Sequence, residues 1–462
     1  MNTKQIRQTI LDLAIRGELV PQDPTDEPAS VLLERIRAEK EQLIKDKKLK
    51  RDKKNNEPID EVPFELPEGW EWCRGYEILN PMETQKPIGE MFGYIDIASI
   101  DNKNNRIIDA KFISVSEAPS RASRKVKFGD TLFSMVRPYL KNIAFVEEEY
   151  SNCIASTGFY ICSPNKTLYP KFLFYLMLSE YVVNGLNKYM KGDNSPSINN
   201  ENITNFFFPL PPLAEQHRIA QKVEQLLTIV DTIEQLQEEL KALVKQTKNQ
   251  VLNYAIAGKL TQQDPNDEPA EELLKRIGKT TAADTPYEKL PEGWVWCQGN
   301  QILNTMKSQK PSGEKFNYID IASIDNRQNK ITEVKTIAVT EAPSRASRKV
   351  KFGDTLFSMV RPYLKNIAFV DEEYSNCIAS TGFYVCSPNE TLFPKYLFYL
   401  MVSDYVVQGL NKHMKGDNSP SINNEDITNF IFPLPPLAEQ HRIVEKIESF
   451  FASFDQIEKE LA

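Results

Sequence analysis

The chain has 462 residues, of which 41% are hydrophobic and 26% charged, so it is long enough for at least two domains and has the composition of an ordinary globular protein. Its formal net charge of −8 disfavours general nucleic-acid binding, although an average can conceal a local basic surface. Six cysteines without a CxxC pair and three histidines without ligand spacing argue against a disulfide scaffold and a zinc site, and the lack of a signal peptide or membrane-length apolar segment predicts a cytoplasmic protein.

An internal repeat organises most of the chain. Residues 117–160 recur as residues 341–384 with a single difference, Glu147 against Asp371. The same offset of 224 positions relates the two copies of PEGW and the two copies of PLPPLAEQHRI. Such self-similarity predicts two near-identical structural units.

A second repeat relates residues 10–36 to residues 251–277 at an offset of 241. The extra 17 residues of the first copy include a basic run, Glu39–Lys54. A run of this kind is typical of a solvated linker, and a non-specific phosphate contact is the alternative.

Each copy has the pattern of a mixed α/β domain. Short runs rich in Ile, Val, Phe and Thr and bounded by turn residues predict strands. In the first copy these runs are Tyr94–Ile100, Thr131–Val136, Asn142–Val146 and Ile154–Cys162. Apolar residues at helical spacing then predict one helix over Tyr169–Met190, followed by a polar loop, Lys191–Ile203.

A long helix is predicted over residues 213–256, where apolar residues alternate at spacings of four and three as in a coiled-coil seam. Gly258 is placed to end it, and the same apolar pattern recurs in residues 437–462. By the two offsets, Ala462 corresponds to Glu238 and Met1 to Ala242, so the chain has the order of a closed ring of two units that is cut within one helix. Two helices that join the same two bodies in opposite senses should be antiparallel, which predicts a two-fold axis between the units.

These patterns together predict an α+β fold with two near-identical mixed α/β domains, joined by long antiparallel coiled-coil helices in a pseudo-two-fold arrangement. The predicted parts are an N-terminal helical segment and linker, a first globular domain, a central helix and linker, a second globular domain and a C-terminal helix. They cover residues 1–65, 66–212, 213–289, 290–436 and 437–462.

A basic patch in each globular copy contrasts with the acidity of the whole chain. The segment Lys111–Asn142 holds seven Lys and Arg residues against Glu117 and Asp130, a balance of +5, and the second copy repeats this balance. Such a patch is either a solvated face or a nucleic-acid contact. The sequence has no GxxxxGK[ST], GxGxxG, HExxH or GxSxG motif, so we expect no catalytic residues and no metal site.

With these features in place, the chain resembles the specificity (S) subunits of type I restriction-modification enzymes. The resemblance rests on LPEGW at the entry of each globular domain, KFGDTLFSMVRP and ASTGFY within it, PLPPLAEQHRI before each long helix, and AIRGEL or AIAGKL further on; it covers essentially the whole chain. It implies a non-catalytic subunit whose two target-recognition domains each read one half of a bipartite site in double-stranded DNA.

The resemblance also implies partners. The helices would dock two methyltransferase (M) subunits, and the full complex would add restriction (R) subunits, with no part in a membrane. It implies that S-adenosylmethionine, ATP and Mg²⁺ belong to those partners and that no cofactor binds this chain directly.

The residues expected to face DNA lie in the basic patch and in the polar loop. Arg can bind a guanine edge with two hydrogen bonds, whereas Lys more often meets phosphate. The basic candidates are Arg121, Arg124, Lys125, Arg137 and Lys141, with Arg345, Arg348, Lys349, Arg361 and Lys365 in the second copy. The polar candidates are Tyr139, Ser156, Thr157, Asn194 and Ser195, with Tyr363, Ser380, Thr381, Asn418 and Ser419 in the second copy.

Most members of this family carry two unlike recognition domains, and this chain departs from them because its two domains are almost the same. Two such domains related by a two-fold axis predict a gapped palindromic DNA site. The alternative hypothesis is a non-enzymatic coiled-coil scaffold with two protein- or glycan-binding domains.

Overall fold

The computed structural model describes residues 2–45, 62–282 and 289–461. The chain divides into two units, Met1–Leu236 and Gln237–Ala462. The helices that begin in the first unit are α1 (Thr3–Ile15), α2 (Ala29–Lys45), α3 (Gly75–Ile78), α4 (Pro170–Leu178), α5 (Glu180–Asn187), α6 (Asn200–Thr204) and α7 (Leu213–Ile256), the last of which continues into the second unit.

The strands of the first unit are short, as the sequence predicts. They are β1 (Glu71–Arg74), β2 (Met91–Ile95), β3 (Ile100–Asp101), β4 (Arg106–Ile107), β5 (Lys111–Ser114), β6 (Ala122–Lys125), β7 (Thr131–Ser134), β8 (Ile143–Phe145), β9 (Ile154–Ser156), β10 (Phe159–Cys162) and β11 (Phe207–Leu210).

Two sheets form the centre of the first unit. One has the order β5-β2-β9-β6, in which β2 and β9 are parallel and the other pairs antiparallel; the other is antiparallel with the order β10-β7-β8. Buried side chains of both sheets, such as Ile95, Leu132 and Ala155, belong to one apolar cluster, so the two sheets share a core. A second cluster joins the three-stranded sheet to α1, α4, α5 and the first part of α7.

Helix α1 runs antiparallel to the first part of α7. Arg7 forms salt bridges with Asp231 and Glu234, whereas Gln22, beyond the end of α1, donates a hydrogen bond to Glu215 near the start of α7. The Nε1 atom of Trp70 donates to the same carboxylate over 3.0 Å. Burial is the main reason that the pKa of Glu215 is raised, and the two hydrogen bonds oppose it.

The second unit repeats these elements. Its helices are α8 (Ala270–Arg276), α9 (Gly299–Ile302), α10 (Pro394–Val402), α11 (Asp404–Asn411), α12 (Asn424–Thr428) and α13 (Leu437–Leu461). Its strands are β12 (Val295–Gln298), β13 (Lys315–Ile319), β14 (Ile324–Asp325), β15 (Lys330–Ile331), β16 (Lys335–Ala338), β17 (Ala346–Lys349), β18 (Thr355–Ser358), β19 (Ile367–Phe369), β20 (Ile378–Ser380), β21 (Phe383–Cys386) and β22 (Ile431–Leu434).

In the second unit, the second part of α7 pairs with α13, as α1 pairs with the first part of α7 in the first unit. Lys248 of α7 pairs with Asp455 and Glu458 of α13, while Gln263 and Trp294 both donate to Glu439. The mixed α/β class, the two repeated domains and the long helix over residues 213–256 are thereby confirmed.

Four local predictions differ from the structure. The strand predicted over Tyr94–Ile100 ends at Ile95 in β2, because a 3₁₀ turn over Ile97–Ser99 separates β2 from β3. The single helix predicted over Tyr169–Met190 is two helices, because Ser179 leaves the helical region at ψ 150° and its hydroxyl accepts the Val182 N–H, which caps α5. The run Ile154–Cys162 is two strands, β9 and β10, because Ser156 accepts the Gly158 N–H in a turn between them. The predicted loop Lys191–Ile203 ends within α6, which Asn199 caps.

In the run Glu39–Lys54, which the sequence predicts to be a solvated linker, α2 continues through Lys45. Residues 46–54 of that run lie outside the described residues. The end of α7 agrees with the prediction: Gly258 has φ +65°, and the following Lys259 N–H bonds the Tyr254 carbonyl over 2.8 Å.

Candidate nucleic-acid interface

The connection between β7 and β8, residues 135–142, is a strained turn that we call the recognition turn. It contains a short 3₁₀ helix, Pro138–Leu140, flanked by two left-handed residues, Arg137 at φ 47° and Lys141 at φ 51°. A side chain other than glycine in this region costs about 1–2 kcal/mol, so neighbouring structure must stabilise the turn.

The first part of the polar loop, residues 191–198, supports one side of the recognition turn. The Arg137 N–H donates to the Pro196 carbonyl over 2.8 Å, and its Nη2 donates to the Asn194 carbonyl over 2.7 Å. The Ile198 N–H donates to the Met135 carbonyl over 2.9 Å. The Arg137 side chain is therefore both exposed and held by a carbonyl, which limits the directions in which its remaining donors point.

The turn between β3 and β4 supports the other side. Asn102 donates from Nδ2 to the Leu140 carbonyl over 2.9 Å, and Asn105 donates from Nδ2 to the Lys141 carbonyl over 3.0 Å. These bonds satisfy backbone acceptors that the left-handed residues leave outside any ladder.

Backbone hydrogen bonds join the recognition turn to the start of β6. The Thr157 N–H donates to the Arg121 carbonyl over 2.9 Å, and the Met135 N–H donates to the Gly158 carbonyl over 2.9 Å. The structure thus brings exposed Arg121 next to Thr157, and Thr157 next to the recognition turn that carries Arg137. Backbone hydrogen bonds therefore connect segments that lie far apart in the sequence.

All four lysines in the basic patch of the first unit form salt bridges. Lys111 pairs with Asp96 at 2.7 Å, and Lys125 and Lys127 both pair with Glu83. Lys141 pairs with Glu180 at 2.6 Å. These acids lie outside the segment Lys111–Asn142, so counting charge in that segment overstates its positive field.

The three arginines of the patch differ from the lysines. No salt bridge of Arg121, Arg124 or Arg137 occurs within the described parts of the chain. The Nε atoms of Arg124 and of its counterpart Arg348 are buried without a hydrogen-bond partner, an arrangement that is costly unless water or a ligand satisfies them. The arginines are therefore the groups most available to an external anion or base edge.

The Lys141–Glu180 pair anchors the recognition turn to α5. Burial alone would raise the pKa of Glu180, but the hydrogen bond and the charge of Lys141 lower it below the usual value. Gln8 of α1 donates to the same carboxylate over 2.7 Å. Lys141 is half-buried, and its ammonium group holds the turn in place.

The polar candidates fall into three environments. Ser156 is only 5% exposed, and its hydroxyl is used in the turn before β10. Thr157 is half-buried, whereas Asn194 and Ser195 are exposed on the polar loop. Tyr139, at the tip of the recognition turn, is 47% exposed.

The second unit reproduces this surface. The Arg361 N–H donates to the Pro420 carbonyl and its Nη2 to the Asn418 carbonyl, both over 2.8 Å. Lys365 pairs with Asp404 at 2.8 Å, and the Thr381 N–H donates to the Arg345 carbonyl over 2.8 Å. Most of the remaining candidates have the same environments: Tyr363 is 49% exposed, Ser380 is buried, Arg348 lies on β17, and Ser419 is exposed beside Asn418. Lys349, also on β17, differs from Lys125 because it is exposed and forms no salt bridge within the described residues.

Sequence reasoning missed two sets of residues at this surface. Leu140 and Leu364 are 42% and 41% exposed beside the tyrosines, where they could contact a thymine methyl group. Asn102, Asn105 and their counterparts support the recognition turn. The run DNKNN at residues 101–105 is typical of a turn and could have pointed to the asparagines. Nothing in the sequence pattern marks the two leucines as exposed.

In the described ranges, no three His, Cys, Asp or Glu side chains cluster as metal ligands would. Among the described helices, none has both the length and the apolarity needed to cross a membrane. All six cysteines are free and buried, as their apolar surroundings in the sequence predict.

Comparison with known proteins identifies the family. The family model described as type I restriction modification DNA specificity domain matches residues 75–242 and again residues 298–462. The EcoAI specificity subunit of Escherichia coli is 28% identical over 98% of this chain and 90% of its own length. The EcoEI specificity subunit of Escherichia coli is 27% identical over 99% and 90%.

Solved structures agree in fold. The HsdS subunit from Thermoanaerobacter tengcongensis superposes with a TM-score of 0.61 at 27% identity, covering 87% of this chain and 94% of that one. A chain from work on complex assembly and conformational transition of the type I R-M system gives a TM-score of 0.66 at 26% identity, covering 86% and 94%. None of these relatives supports the scaffold alternative. With the repeated domain matched twice and near full-length relatives throughout, the chain belongs to the family of type I restriction-modification specificity subunits.

Proposed function

We propose that this chain is the DNA-recognition subunit of a type I restriction-modification complex and that each unit reads one half of a gapped palindromic site. The observation that carries the proposal is the surface around the recognition turn. It recurs in both units, and at equivalent places it has arginines that form no salt bridge within the described residues. Family membership makes the chain the non-catalytic component of such a complex, and the chemistry belongs to its partners.

The arginines carry the base contacts in this proposal. Arg137 and Arg361 are fixed by a carbonyl on one side and exposed on the other, so each presents its remaining donors in a restricted direction. A guanidinium held in this way suits the O6 and N7 acceptors of guanine in the major groove. Arg121, Arg345, Arg124 and Arg348 extend the same surface.

The other candidates have supporting roles. Asn194, Ser195, Tyr139 and their counterparts border the arginines and are exposed, which suits contacts to phosphate or to base edges. Lys141 and Lys365 position the recognition turn through their salt bridges, and a phosphate contact would have to compete with Glu180 or Asp404.

The palindrome follows from the order of the chain. Two nearly identical domains should prefer nearly identical half-sites, and the closed-ring arrangement inverts one half relative to the other. A tandem arrangement would instead require a direct repeat. Related readers on one face of DNA lie about one helical turn apart, so we expect half-site centres ~10 bp apart with an unread spacer.

The helices are proposed to dock the partners. Ile229 and Leu236 on the first part of α7 and Leu243 and Tyr254 on its second part are more than half exposed, which suits a protein contact. The segments beside the helices, residues 10–36 and 251–277, repeat once in each unit, so the helices together with these segments provide two equivalent surfaces. Two such surfaces predict two M subunits for each S subunit, with R subunits joining the complex. We assign S-adenosylmethionine, ATP and Mg²⁺ to those partners.

Methylome sequencing of the host with and without this gene tests the proposal. We expect one gapped palindromic motif, with an adenine methylated on each strand, that disappears when the gene is deleted. Two unlike half-sites or a direct repeat would refute the two-fold arrangement. Native mass spectrometry that shows one M subunit per S subunit at saturation would refute the two equivalent docking surfaces.

A further inference from the structure

At one position beside the surface around the recognition turn, the two units carry opposite charges. In the first unit, residues 83–85 run alongside β6: the Lys125 N–H donates to the Glu83 carbonyl over 3.1 Å, and the Gln85 N–H donates to the Ser123 carbonyl over 3.0 Å. In the second unit, the Lys349 N–H donates to the Lys307 carbonyl over 3.1 Å in the same way. Glu83 and Lys307 therefore occupy equivalent backbone positions with opposite charges.

In the first unit, Glu83 forms salt bridges with two lysines. Lys125 lies 2.8 Å from its carboxylate, and Lys127 also donates to it. Hydrogen bonds from these two lysines lower the pKa of Glu83 to about 2, so the carboxylate is ionised at neutral pH. This geometry demonstrates that two ammonium groups from positions 125 and 127 can converge on one anionic group.

In the second unit, that anionic group is missing from the chain. Lys307, Lys349 and Lys351 are all exposed, and none of them has a salt bridge within the described residues. We call these residues the lysine trio. Three positive charges stand where the first unit has two positive charges and one negative charge.

We propose that the lysine trio binds a phosphate of the DNA backbone, which takes the place that the Glu83 carboxylate takes in the first unit. The second unit then holds its half-site more tightly than the first. This inference rests on the proposed function, because it requires that the surface around Arg348 faces DNA.

Two observations favour DNA phosphate over a free anion. The lysine trio adjoins β17, and residue Ser308 pairs with Arg348, a candidate for DNA contact. Lysine is a mobile point charge that meets phosphate rather than a base edge. Since phosphate contacts carry no sequence information, the trio changes affinity and leaves the palindromic target unchanged.

The salt dependence of DNA binding tests the inference. Full-length protein with its M subunits is titrated against a labelled duplex that carries the methylated site, at salt concentrations between 50 and 200 mM. Each phosphate contact adds ~0.9 to the slope of log K against log salt. Lys307→Glu rebuilds the charge arrangement of the first unit and should reduce the slope by about one, whereas Glu83→Lys should increase it by about one.

Two controls separate a local contact from bulk charge. Lys279→Glu makes the same charge change at an exposed lysine after α8 and should leave the slope unchanged within error. The exchange Glu83→Lys with Lys307→Glu conserves net charge and should restore the wild-type slope. Thermal unfolding of each variant checks that the fold is intact.

The experiment distinguishes a failure of the lysine trio from a failure of the proposed function. If the wild-type complex does not bind the duplex, the proposed function fails. If it binds but Lys307→Glu leaves the slope unchanged, or Lys279→Glu lowers it equally, only the lysine trio is refuted.

Discussion

Replacing Arg137 and Arg361 together by Gly should separate DNA binding from folding. The backbone of both residues lies in the left-handed region, so Gly relieves about 1–2 kcal/mol of backbone strain at each position. Against this, Gly gives the unfolded chain extra freedom that costs about 0.4–1 kcal/mol, and the exposed hydrogen bond from Nη2 to the loop carbonyl contributes about 0.5–1.5 kcal/mol.

The opposing contributions nearly cancel within each unit. The free energy of unfolding should stay within about 1 kcal/mol of wild type, and the Tm within about 4 °C for units of this size. The backbone N–H groups that bond Pro196 and Pro420 survive the substitution, so the recognition turns keep their positions. The double Ala variant lacks the strain relief and should be less stable than the double Gly variant.

DNA affinity should respond very differently. Each lost base contact costs ~1–3 kcal/mol, which is about 5- to 150-fold in Kd for each half-site. Fluorescence anisotropy with a duplex that carries the methylated site measures the loss, and differential scanning fluorimetry measures the Tm. Lys at both positions keeps the charge and should not restore affinity if the contact is bidentate to guanine. A double Gly variant that is folded and binds within twofold of wild type would show that neither arginine contacts DNA.

Three further outcomes are expected in the first unit and in the whole chain. Gly17→Ala should lower the Tm by several degrees, because the φ of Gly17 is +73° and the new Cβ would clash with the Pro67 ring. Gly89→Ala, at φ +86° with open space around it, is the matched control and should cost only the backbone strain of about 1–2 kcal/mol. Equal losses of Tm in the two variants would exclude the clash. Burial raises the pKa of Asp130 above its unfolded value, so the fold disfavours the charged form of this carboxyl. The Tm difference between wild type and Asp130→Asn should therefore increase in favour of wild type as the pH falls from 7 through that pKa. A Tm difference that stays constant with pH would contradict the raised pKa. All six buried thiols should resist Ellman's reagent in the native protein and react after denaturation, and a fast native phase would contradict their burial.

The sequence predicts the long elements of this fold well because they depend on periodicity and repetition. The helix over residues 213–256 has its predicted bounds, since its apolar spacing persists over many turns. The break at Ser179 could not be found in this way, because the apolar pattern continues through it and only the side-chain cap ends α4. The pairing of β1 with β11 was missed because Pro209 interrupts the apolar run of β11.

For the candidate site, the sequence predicts that the clustered arginines face DNA, which stays a prediction. Backbone hydrogen bonds link Arg121, through residues 157 and 158, to the turn that carries Arg137. The neutralisation of Lys125 and Lys141 could not be foreseen, because their partners Glu83 and Glu180 are about 40 residues away along the chain. Charge counted along a segment records proximity in sequence, whereas a field at a surface depends on proximity in space.

The differences between the two copies are concentrated outside the segment that carries the arginines. Residues 117–160 and 341–384 contain the candidate arginines of the basic patch and are identical except for Glu147 and Asp371. The preceding segment instead differs at several exposed positions, among them Glu83 against Lys307 and Met91 against Lys315. On the proposed function, changes in the first stretch would alter which bases are read, whereas changes in the preceding segment alter charge beside the reading surface. A duplicated chain can therefore shift the affinity of one unit for DNA while both units continue to read the same half-site.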